Sequence, residues 1–215
     1  MLLKTERELI VEYGKKLLDS GLTRGTGGNI SIYNREKGLL AMSPSGLPYH
    51  ETQPEDVVIL DLTGKVVEGH RKPSVENSMH RIFYTERSDI QAVVHTHSVA
   101  CSTMAALHWE LPASSYLVAL SGNTKVPCAP YATFGTMALA RAALYAMVEF
   151  YACFLANHGF LAAAQSVELA FTIAEEIEHC AEIHLKASAV GTPQIIADEK
   201  MEELFELFKA YMQPR

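Results

Sequence analysis

Two histidines close an apolar run near the middle of the chain. His95 and His97 end the segment 90–97, whose apolar residues 92–94 are typical of a buried strand. Side chains two residues apart on a strand point to the same face, with Cα atoms roughly 6.5–7 Å apart. Two imidazoles placed in this way can bind one divalent ion through bonds of about 2.0–2.1 Å. The pattern alone also fits two polar residues at the point where a strand leaves the core.

A second apolar run also delivers a histidine at its end. The predicted strand 151–157 is followed by His158 and Gly159, which alone would be an ordinary turn. Two strand ends with histidines favour a metal site, since a catalytic zinc site has three protein ligands and an open or displaceable fourth position. Glu76, in the segment KPSVE at 72–76, is the candidate for that fourth position. From this position alone, a carboxylate in the first turn of a predicted helix is better explained by the helix dipole.

The remaining histidines carry weaker patterns. Glu176 and His179 have an ExxH spacing on a predicted long helix, 166–188. A metal site of that kind needs further carboxylates from facing helices, so a solvated or interface-facing surface is favoured here. His184 lies on the same predicted helix as His179, and no supporting pattern surrounds His50, His70, His80 and His108.

Two loops have the composition of anion-binding sites. The segments 27–29 and 43–46 combine glycine with small polar side chains, as backbone nests for phosphate do. Ser74, at a predicted helix start, adds a hydroxyl and the positive end of a helix dipole. Ordinary turn chemistry is the simpler explanation for any one of these loops. The glycine-rich turn 25–28 precedes a strand rather than a helix, which excludes a P-loop and a dinucleotide-binding fingerprint.

The elements that must position these groups can be placed from periodicity and turn residues. Helices are predicted over 4–19, from Pro73 or Ser74 to 86, and over 98–107, 135–148, 166–188 and 198–212. Strands are predicted after the turn 25–28 and over 38–43, 57–61, 65–69, 90–97, 116–120, 126–129 and 151–157. Helices at both ends and strands in hairpin-like pairs indicate a largely antiparallel sheet covered by helices, not repeated βαβ units.

Composition limits the class of protein. The chain has 215 residues, 48% of them hydrophobic and 20% charged, which predicts one globular domain. A net charge of −7 argues against a nucleic-acid binder. No stretch of about 20 uninterrupted apolar residues predicts a membrane span. The charged, amphipathic start is unlike a secretory leader, and four cysteines without a CxxC pair indicate reduced thiols, so we expect a cytoplasmic protein.

Taken together, the motifs resemble the class II (zinc-dependent) aldolase/epimerase family, and within it the fuculose-phosphate type. The matching segments follow one another along nearly the whole chain: TGGNIS (26–31), SPSG (43–46), KPSVE (72–76), VVHTHS (93–98), LPASSY (111–116), VPCAPYATFGT (126–136) and NHGF (157–160). The resemblance implies one α/β (α+β-like) domain over residues 1–215. Its mixed, mainly antiparallel central sheet would be covered by helices on both sides.

The resemblance also implies roles for individual residues. One Zn²⁺ per subunit would be bound by Glu76, His95, His97 and His158, with Glu76 leaving the metal to act as acid and base. The phosphate would be bound by Gly28, Asn29, Ser45, Gly46, Ser74 and Val75. The family has a second serine where this chain has Val75, whose backbone N–H can still donate although a hydroxyl contact is lost. Phe134 and Tyr211 would shape the aldehyde pocket. Tyr116 would reach the active site of a neighbouring subunit in a homotetramer.

The implied reaction is reversible cleavage of L-fuculose 1-phosphate into dihydroxyacetone phosphate and L-lactaldehyde through a zinc-stabilised enediolate. The alternatives are an L-ribulose-5-phosphate 4-epimerase, another sugar-phosphate aldolase of the family, and a non-catalytic adducin-type scaffold. Epimerases have aspartate at the position of Glu76 and a further acid just after the position of Tyr116, and this chain has neither. The complete metal set disfavours the scaffold. A Schiff-base mechanism is disfavoured because it needs a desolvated lysine, and no lysine lies inside a continuous apolar strand.

Overall fold

The computed structural model describes residues 1–211. Its helices are α1 (Lys4–Asp19), α2 (Asn77–Glu86), α3 (Val99–Leu107), α4 (Met137–Ala146), α5 (Val167–Val190) and α6 (Asp198–Tyr211). Its strands are β1 (Asn29–Asn34), β2 (Leu39–Met42), β3 (Val58–Asp61), β4 (Val66–Glu68), β5 (Ala92–Thr96), β6 (Leu111–Pro112), β7 (Lys125–Val126), β8 (Cys128–Ala129), β9 (Ala152–Leu155) and β10 (Gly159–Ala164). Two short 3-10 helices span Pro54–Asp56 and Tyr116–Ser121.

Eight strands form one central sheet in the order β4-β3-β2-β1-β5-β10-β9-β8. Every neighbouring pair in this sheet is antiparallel except β8 and β9, which run parallel. Strands β6 and β7 form a separate antiparallel pair. The structure therefore confirms the predicted mixed, mainly antiparallel sheet.

Alternate residues of the central strands point to opposite faces of the sheet, and a layer of helices buries each face. Ala92 and Val94 of β5 belong to one apolar layer, which includes residues of α1, α3 and α5. Val93 belongs to the other layer, which includes residues of α2 and α4. Helices thus cover both sides of the sheet, as expected. α6 lies at the edge, packed on the 3-10 helix Tyr116–Ser121.

The predicted strand over 116–120 is wrong. This segment is a 3-10 helix that begins after Ser115, whose hydroxyl accepts a hydrogen bond from the Leu117 backbone N–H at 3.4 Å. Such a side-chain contact favours a helical turn over an extended backbone. Val118 and Leu120 are buried in the layer that contains α5. An apolar run of five residues fits a strand and a buried turn of helix equally well, and packing decides between them.

The sequence analysis also missed β10. Its sequence, GFLAAA, lacks alternation and ends in three alanines, which have low strand propensity. In the structure β10 is a central strand between β5 and β9, with all six residues buried. Burial of both faces removes the polar alternation by which a strand is recognised, and the small side chains let α5 pack close to the sheet.

Helix α2 begins at Asn77, later than the predicted entry at Pro73 or Ser74. Pro73 instead forms an antiparallel bridge with Pro44, and the Ser74 backbone N–H donates to the Ser43 carbonyl at 3.1 Å. Pairing with the loop at residues 43–44 therefore holds Pro73 and Ser74 out of the helix. Glu76 becomes the residue that precedes its first turn.

No helix within residues 1–211 is long and apolar enough to cross a membrane. The four cysteines are free thiols, and Cys101, Cys153 and Cys180 are buried. The cytoplasmic location stays a prediction.

Candidate active site

The edge where β1, β5 and β10 meet positions the first histidine. In the antiparallel register, His95 of β5 lies opposite Asn29 of β1 and Leu161 of β10. His95 is fully buried, and its Nδ1 lies 2.8 Å from the carbonyl oxygen of Phe160. A carbonyl can only accept, so Nδ1 carries the proton and Nε2 keeps its lone pair. The backbone of β10 therefore fixes His95 in the tautomer that a metal ligand requires.

Three histidines from two strand ends converge. One ring nitrogen each from His95, His97 and His158 lies within 4.8 Å of the other two. The Nε2 atoms of His95 and His97 are 2.9 Å apart. Within residues 1–211 this is the only group of three or more potential ligands with such geometry. The structure thus brings together the three histidines that the sequence singled out.

Glu76 lies beside two of the three histidines. Its Oε2 lies 3.4 Å from His95 Nε2, and its Oε1 lies 3.3 Å from His158 Nε2. Glu76 Oε1 and His158 Nδ1 are buried and have no hydrogen-bond partner within the described residues. Two atoms bound tetrahedrally to one ion, at about 2.0–2.1 Å each, are about 3.3–3.4 Å apart. The two distances from Glu76 to the histidines and the unsatisfied carboxylate oxygen fit a divalent metal ion.

The electrostatics of the cluster suit metal binding. Burial, together with the neighbouring His97 and His158, holds the pKa of His95 well below its usual value. Burial and the adjacent His158 lower the pKa of His97 to about 4. Both rings are therefore neutral near neutral pH, which is the form that coordinates a metal.

Glycines allow the strand ends to approach this closely. Gly28 has φ +69°, and a Cβ there would lie 2.6 Å from the His95 carbonyl oxygen. A Cβ at Gly159 would overlap the Thr96 carbonyl oxygen. Gly28, predicted as part of a phosphate-binding nest, thus also has a packing reason to be glycine.

The three segments predicted to bind phosphate lie side by side. The Ser45 backbone N–H donates to the Lys72 carbonyl at 2.9 Å, and the Ser74 N–H donates to the Ser43 carbonyl at 3.1 Å. The Ser43 hydroxyl accepts from the backbone N–H of Ile30 at 3.1 Å. These hydrogen bonds join the loops to one another, and Glu76 follows Ser74 by two residues in the sequence. Their role in binding phosphate stays a prediction.

The exposed ends of these loops are available to a ligand. Ser45 and Gly46 are exposed, and the Val75 side chain is 57% exposed. A Cβ at Gly135 would lie 3.3 Å from the Val75 carbonyl, so the loop carrying Phe134 passes beside this segment. Phe134 is 64% exposed. This placement is compatible with its predicted role at the aldehyde pocket.

The two predicted tyrosines lie elsewhere in the fold. Tyr116, the first residue of the second 3-10 helix, is 53% exposed and stacks on Phe208 of α6 with ring centroids 6.2 Å apart. Its predicted partner site is on another subunit, which one chain does not test. Tyr211 ends α6, and its side chain lies outside the described residues.

One residue of the site escaped the sequence analysis. His80 is fully buried, with Nε2 2.5 Å from Asn29 Oδ1 and Nδ1 2.7 Å from the Ser31 hydroxyl. Asn29 in turn donates from Nδ2 to Glu76 Oε2 at 2.8 Å. The available signal was spacing, because His80 follows Glu76 by four residues and therefore lies on the same face of the predicted helix.

The remaining candidates lie apart from the cluster. His179 is exposed on α5, as the interpretation of a solvated surface anticipated. His50 pairs with Asp19, and His70 lies 3.3 Å from Asp56. These are contacts of exposed imidazole side chains.

The fold and this site define a class II aldolase. Residues 8–185 match the family described as "Class II Aldolase and Adducin N-terminal domain", and the chain belongs to that family. It is 57% identical over 213 residues to a 5-deoxy-D-ribulose 1-phosphate aldolase of Bacillus thuringiensis serovar kurstaki, covering 99% of this chain and 100% of that protein. It is 37% identical over 192 residues to L-fuculose phosphate aldolase of Escherichia coli K12, covering 89% and 88%.

A solved structure described as L-fuculose 1-phosphate aldolase superposes with a TM-score of 0.94 at 45% identity, covering 97% of this chain and 98% of that one. The expected family and fold are thus confirmed. The chain is a member of the class II aldolase family, and its histidine cluster could hold a metal ion. The particular sugar phosphate is a separate question.

Proposed function

We propose that this aldolase cleaves 5-deoxy-D-ribulose 1-phosphate between C3 and C4 into dihydroxyacetone phosphate and acetaldehyde. The observation that carries the aldolase chemistry is the buried Glu76 carboxylate between His95 and His158, two residues after Ser74 of the phosphate loops. A carboxylate held there can act on a carbon close to the substrate's C1 phosphate. The choice of the 5-deoxy sugar is supported by the 57% identity to an aldolase of that name.

L-Fuculose 1-phosphate, the substrate implied by the sequence motifs, is the second candidate. It is favoured by the likeness to the solved fuculose-phosphate aldolase. Both substrates release dihydroxyacetone phosphate and differ in the aldehyde, which is acetaldehyde in one case and L-lactaldehyde in the other. The extra carbon of lactaldehyde carries a hydroxyl, so a site built to hydrogen-bond that group would discriminate strongly between them.

The metal would be Zn²⁺ or another divalent ion, one per subunit, held by His95, His97 and His158 with Glu76 as a displaceable fourth ligand. When bound, it would supply Lewis acidity toward the substrate carbonyl. The three imidazoles suffice to retain an ion, which leaves the Glu76 carboxylate available for proton transfer.

Glu76 moves the proton at C3. In the cleavage direction the C4 hydroxyl loses its proton, the C3–C4 bond breaks, and the electron pair delocalises onto the C2 oxygen. The Glu76 carboxylate, after taking up a proton from solvent, delivers it to C3 and completes dihydroxyacetone phosphate. In synthesis Glu76 removes that proton, which requires a base within hydrogen-bond reach of the carbon. The Asn29 amide, bonded to Oε2, orients the carboxylate.

Tyr116 would exchange the proton of the C4 oxygen from a neighbouring subunit of a homotetramer. Its exposure in the single chain supports this role, because a phenol needed by its own buried site would be covered. The segment that passes Val75 at Gly135 exposes the large apolar side chains of Tyr131, Phe134 and Met137, which is further support for a subunit contact there.

The test is a retro-aldol assay with three substrates supplied separately: 5-deoxy-D-ribulose 1-phosphate, L-fuculose 1-phosphate and L-ribulose 5-phosphate. Coupled detection of dihydroxyacetone phosphate reports cleavage of the first two, and formation of D-xylulose 5-phosphate reports epimerisation of the third. We expect the highest kcat/KM for the 5-deoxy sugar. A higher value for fuculose 1-phosphate would promote the second candidate.

The same assay tests the other classes. Efficient epimerisation with negligible cleavage would overturn the aldolase proposal. A purified protein that contains no divalent metal, and turns over no substrate after metal is added, would favour the adducin-type scaffold instead. Treatment with a chelator, followed by readdition of zinc, manganese or cobalt, identifies the ion that supports turnover.

A further inference from the structure

A continuous chain of buried hydrogen bonds runs from Glu76 to the interior of the α2 layer. Glu76 Oε2 accepts from Asn29 Nδ2 at 2.8 Å, and Asn29 Oδ1 lies 2.5 Å from His80 Nε2. His80 Nδ1 lies 2.7 Å from the Ser31 hydroxyl, which also contacts the hydroxyl of Tyr84. All five side chains belong to buried residues. The three residues that follow Asn29 in this series of hydrogen bonds, His80, Ser31 and Tyr84, have no part in binding substrate or metal in the proposed mechanism.

The Glu76 carboxylate, at one end of this series, fixes which group donates in each hydrogen bond as far as Ser31. An ionised carboxylate only accepts, so Asn29 must turn its NH₂ toward Glu76 and its carbonyl oxygen toward His80. His80 must then donate from Nε2, which leaves Nδ1 as an acceptor for the Ser31 hydroxyl. Burial lowers the pKa of His80 to about 3, so the ring stays neutral and holds a single proton. That proton has one satisfactory position, on Nε2.

We propose that His80 is a positioning residue, whose Nε2–H holds the Asn29 amide in the orientation that presents its N–H to Glu76 and so aims the carboxylate at the substrate. The inference rests on the proposed role of Glu76 as the base. Without the donor at His80 the Asn29 amide loses its orientation. Its carbonyl oxygen can then turn toward the carboxylate, which repels it.

A purely structural histidine would fill space and satisfy its own polar atoms without affecting Glu76. Two substitutions separate these roles. In His80→Gln the side-chain amide nitrogen reaches the position of Nε2 and can still donate to Asn29. In His80→Asn the shorter amide reaches the position of Nδ1, keeps the contact with Ser31, and leaves Asn29 without its donor. Both variants replace an aromatic ring by an amide, so their packing losses are similar.

We expect the His80→Asn variant to lose about 10–100-fold in kcat, the range typical of removing a group that orients a metal-site ligand. The KM for the sugar phosphate should change little, because the loops at Ser45 and Ser74 are untouched. His80→Gln should recover most of the lost kcat. His179→Asn, on the exposed face of α5, is the matched control. Equal kcat losses in the Asn and Gln variants, at equal thermal stability, would show a structural role only.

A measurement on the parent protein needs no variant to fold and no turnover. With ¹⁵N-labelled histidine, the ring nitrogens of His80 should show the Nε2–H tautomer in the metal-free protein, unchanged between neutral and mildly acidic pH. The signal is assigned by its absence from the spectrum of His80→Gln, or from its coupling to the backbone if that variant does not fold. An Nδ1–H tautomer would overturn the inference. Because this readout does not depend on turnover, it distinguishes a wrong tautomer of His80 from failure of the proposed aldolase activity.

Discussion

Glu76 Oε2 lies 3.4 Å from His95 Nε2, so the residue that precedes α2 meets the end of β5 inside the fold. His95 is held from behind by the Phe160 carbonyl, and Glu76 by the Asn29 amide. Each partner is thus oriented by a neighbouring element of the sheet before any ligand binds. A site preorganised in this way pays little free energy for rearrangement when it binds an ion, because its donor atoms are already held close together.

The first prediction concerns the metal. His158→Ala removes one of three imidazoles and should lower the affinity for the divalent ion severely, with near-complete loss of turnover. Elemental analysis of the purified protein measures the bound metal, and His179→Ala on the surface of α5 is the control. Full activity in a metal-free His158→Ala preparation would contradict the proposed metal site. The same experiment with His97→Ala should give the same result.

The second prediction separates metal binding from proton transfer. Glu76→Gln keeps the three histidines, so the protein should retain much of its metal, but an amide cannot act as the base. Exchange of the C3 proton of dihydroxyacetone phosphate with deuterated solvent, followed by NMR, measures that step alone. We expect exchange to fall by at least about 10²-fold, the usual contribution of a general base. Exchange at the parent rate would remove Glu76 from the mechanism.

The three histidines could be predicted because their signal is local, whereas the role of Glu76 came from the resemblance. His95 and His97 share one strand end, and a strand followed by His158 and glycine is visible in the printed sequence. The mainly antiparallel sheet also followed from local turn residues. β10 could not be recognised in the same way, because its strand identity depends on hydrogen bonds to β5 and β9 that have no local pattern.

His80 shows the same limit within the site. Its function depends on Asn29, which is 51 residues away in sequence, and on the packing of α2 against β1. An isolated histidine in a helix carries no pattern that reveals a partner on a distant strand. Helical spacing from Glu76 would have placed both side chains on one face of the helix. It would not have supplied the amide that connects them.

The third prediction tests whether active sites are shared between subunits. If Tyr116 serves a neighbouring site, the Tyr116→Phe and Glu76→Gln proteins are each impaired, but a hybrid oligomer contains some sites with both native residues. Coexpression of two differently tagged variants, and purification through both tags, should therefore restore part of the activity. Doubly tagged Glu76→Gln oligomers are the control. A fully active monomer, measured by light scattering at assay concentration, would contradict the shared site.

The fourth prediction concerns stability at acidic pH. The pKa of His80 falls from 6.5 to about 3 on folding because the ring is buried. Below about pH 6.5 the unfolded chain takes up a proton that the folded protein does not, so this contribution to stability is lost as the pH falls toward 3. The slope is about 1.4 kcal/mol per pH unit for one group. The substitution His80→Gln should remove this contribution to the pH dependence of the free energy of unfolding.

Urea unfolding of the metal-free protein, at several pH values between about 7 and 5, measures this slope. His95, whose pKa is also lowered chiefly by burial, contributes in the same direction and remains in the variant. The comparison is therefore between the slopes of the parent and His80→Gln, with His179→Gln as the exposed control. An unchanged slope would mean that His80 is protonated in the folded protein.

The last prediction concerns Val75, where the family pattern has a serine. Its side chain is 57% exposed and lies next to Ser74 in the loop that is expected to bind phosphate. Val75→Ser adds a hydroxyl that can donate to a phosphate oxygen, and a hydrogen bond to a charged group contributes about 1.5–3 kcal/mol. We expect KM for the sugar phosphate to fall about 10-fold or more on that basis, with kcat nearly unchanged, because binding improves equally in the ground and transition states. Val66→Ser, at an exposed position on edge strand β4, is the matched control for the change of side chain. Inhibition by inorganic phosphate should tighten in parallel with KM. A KM that does not move, together with unaltered phosphate inhibition, would place the phosphate away from Val75 and argue against this loop as its binding site.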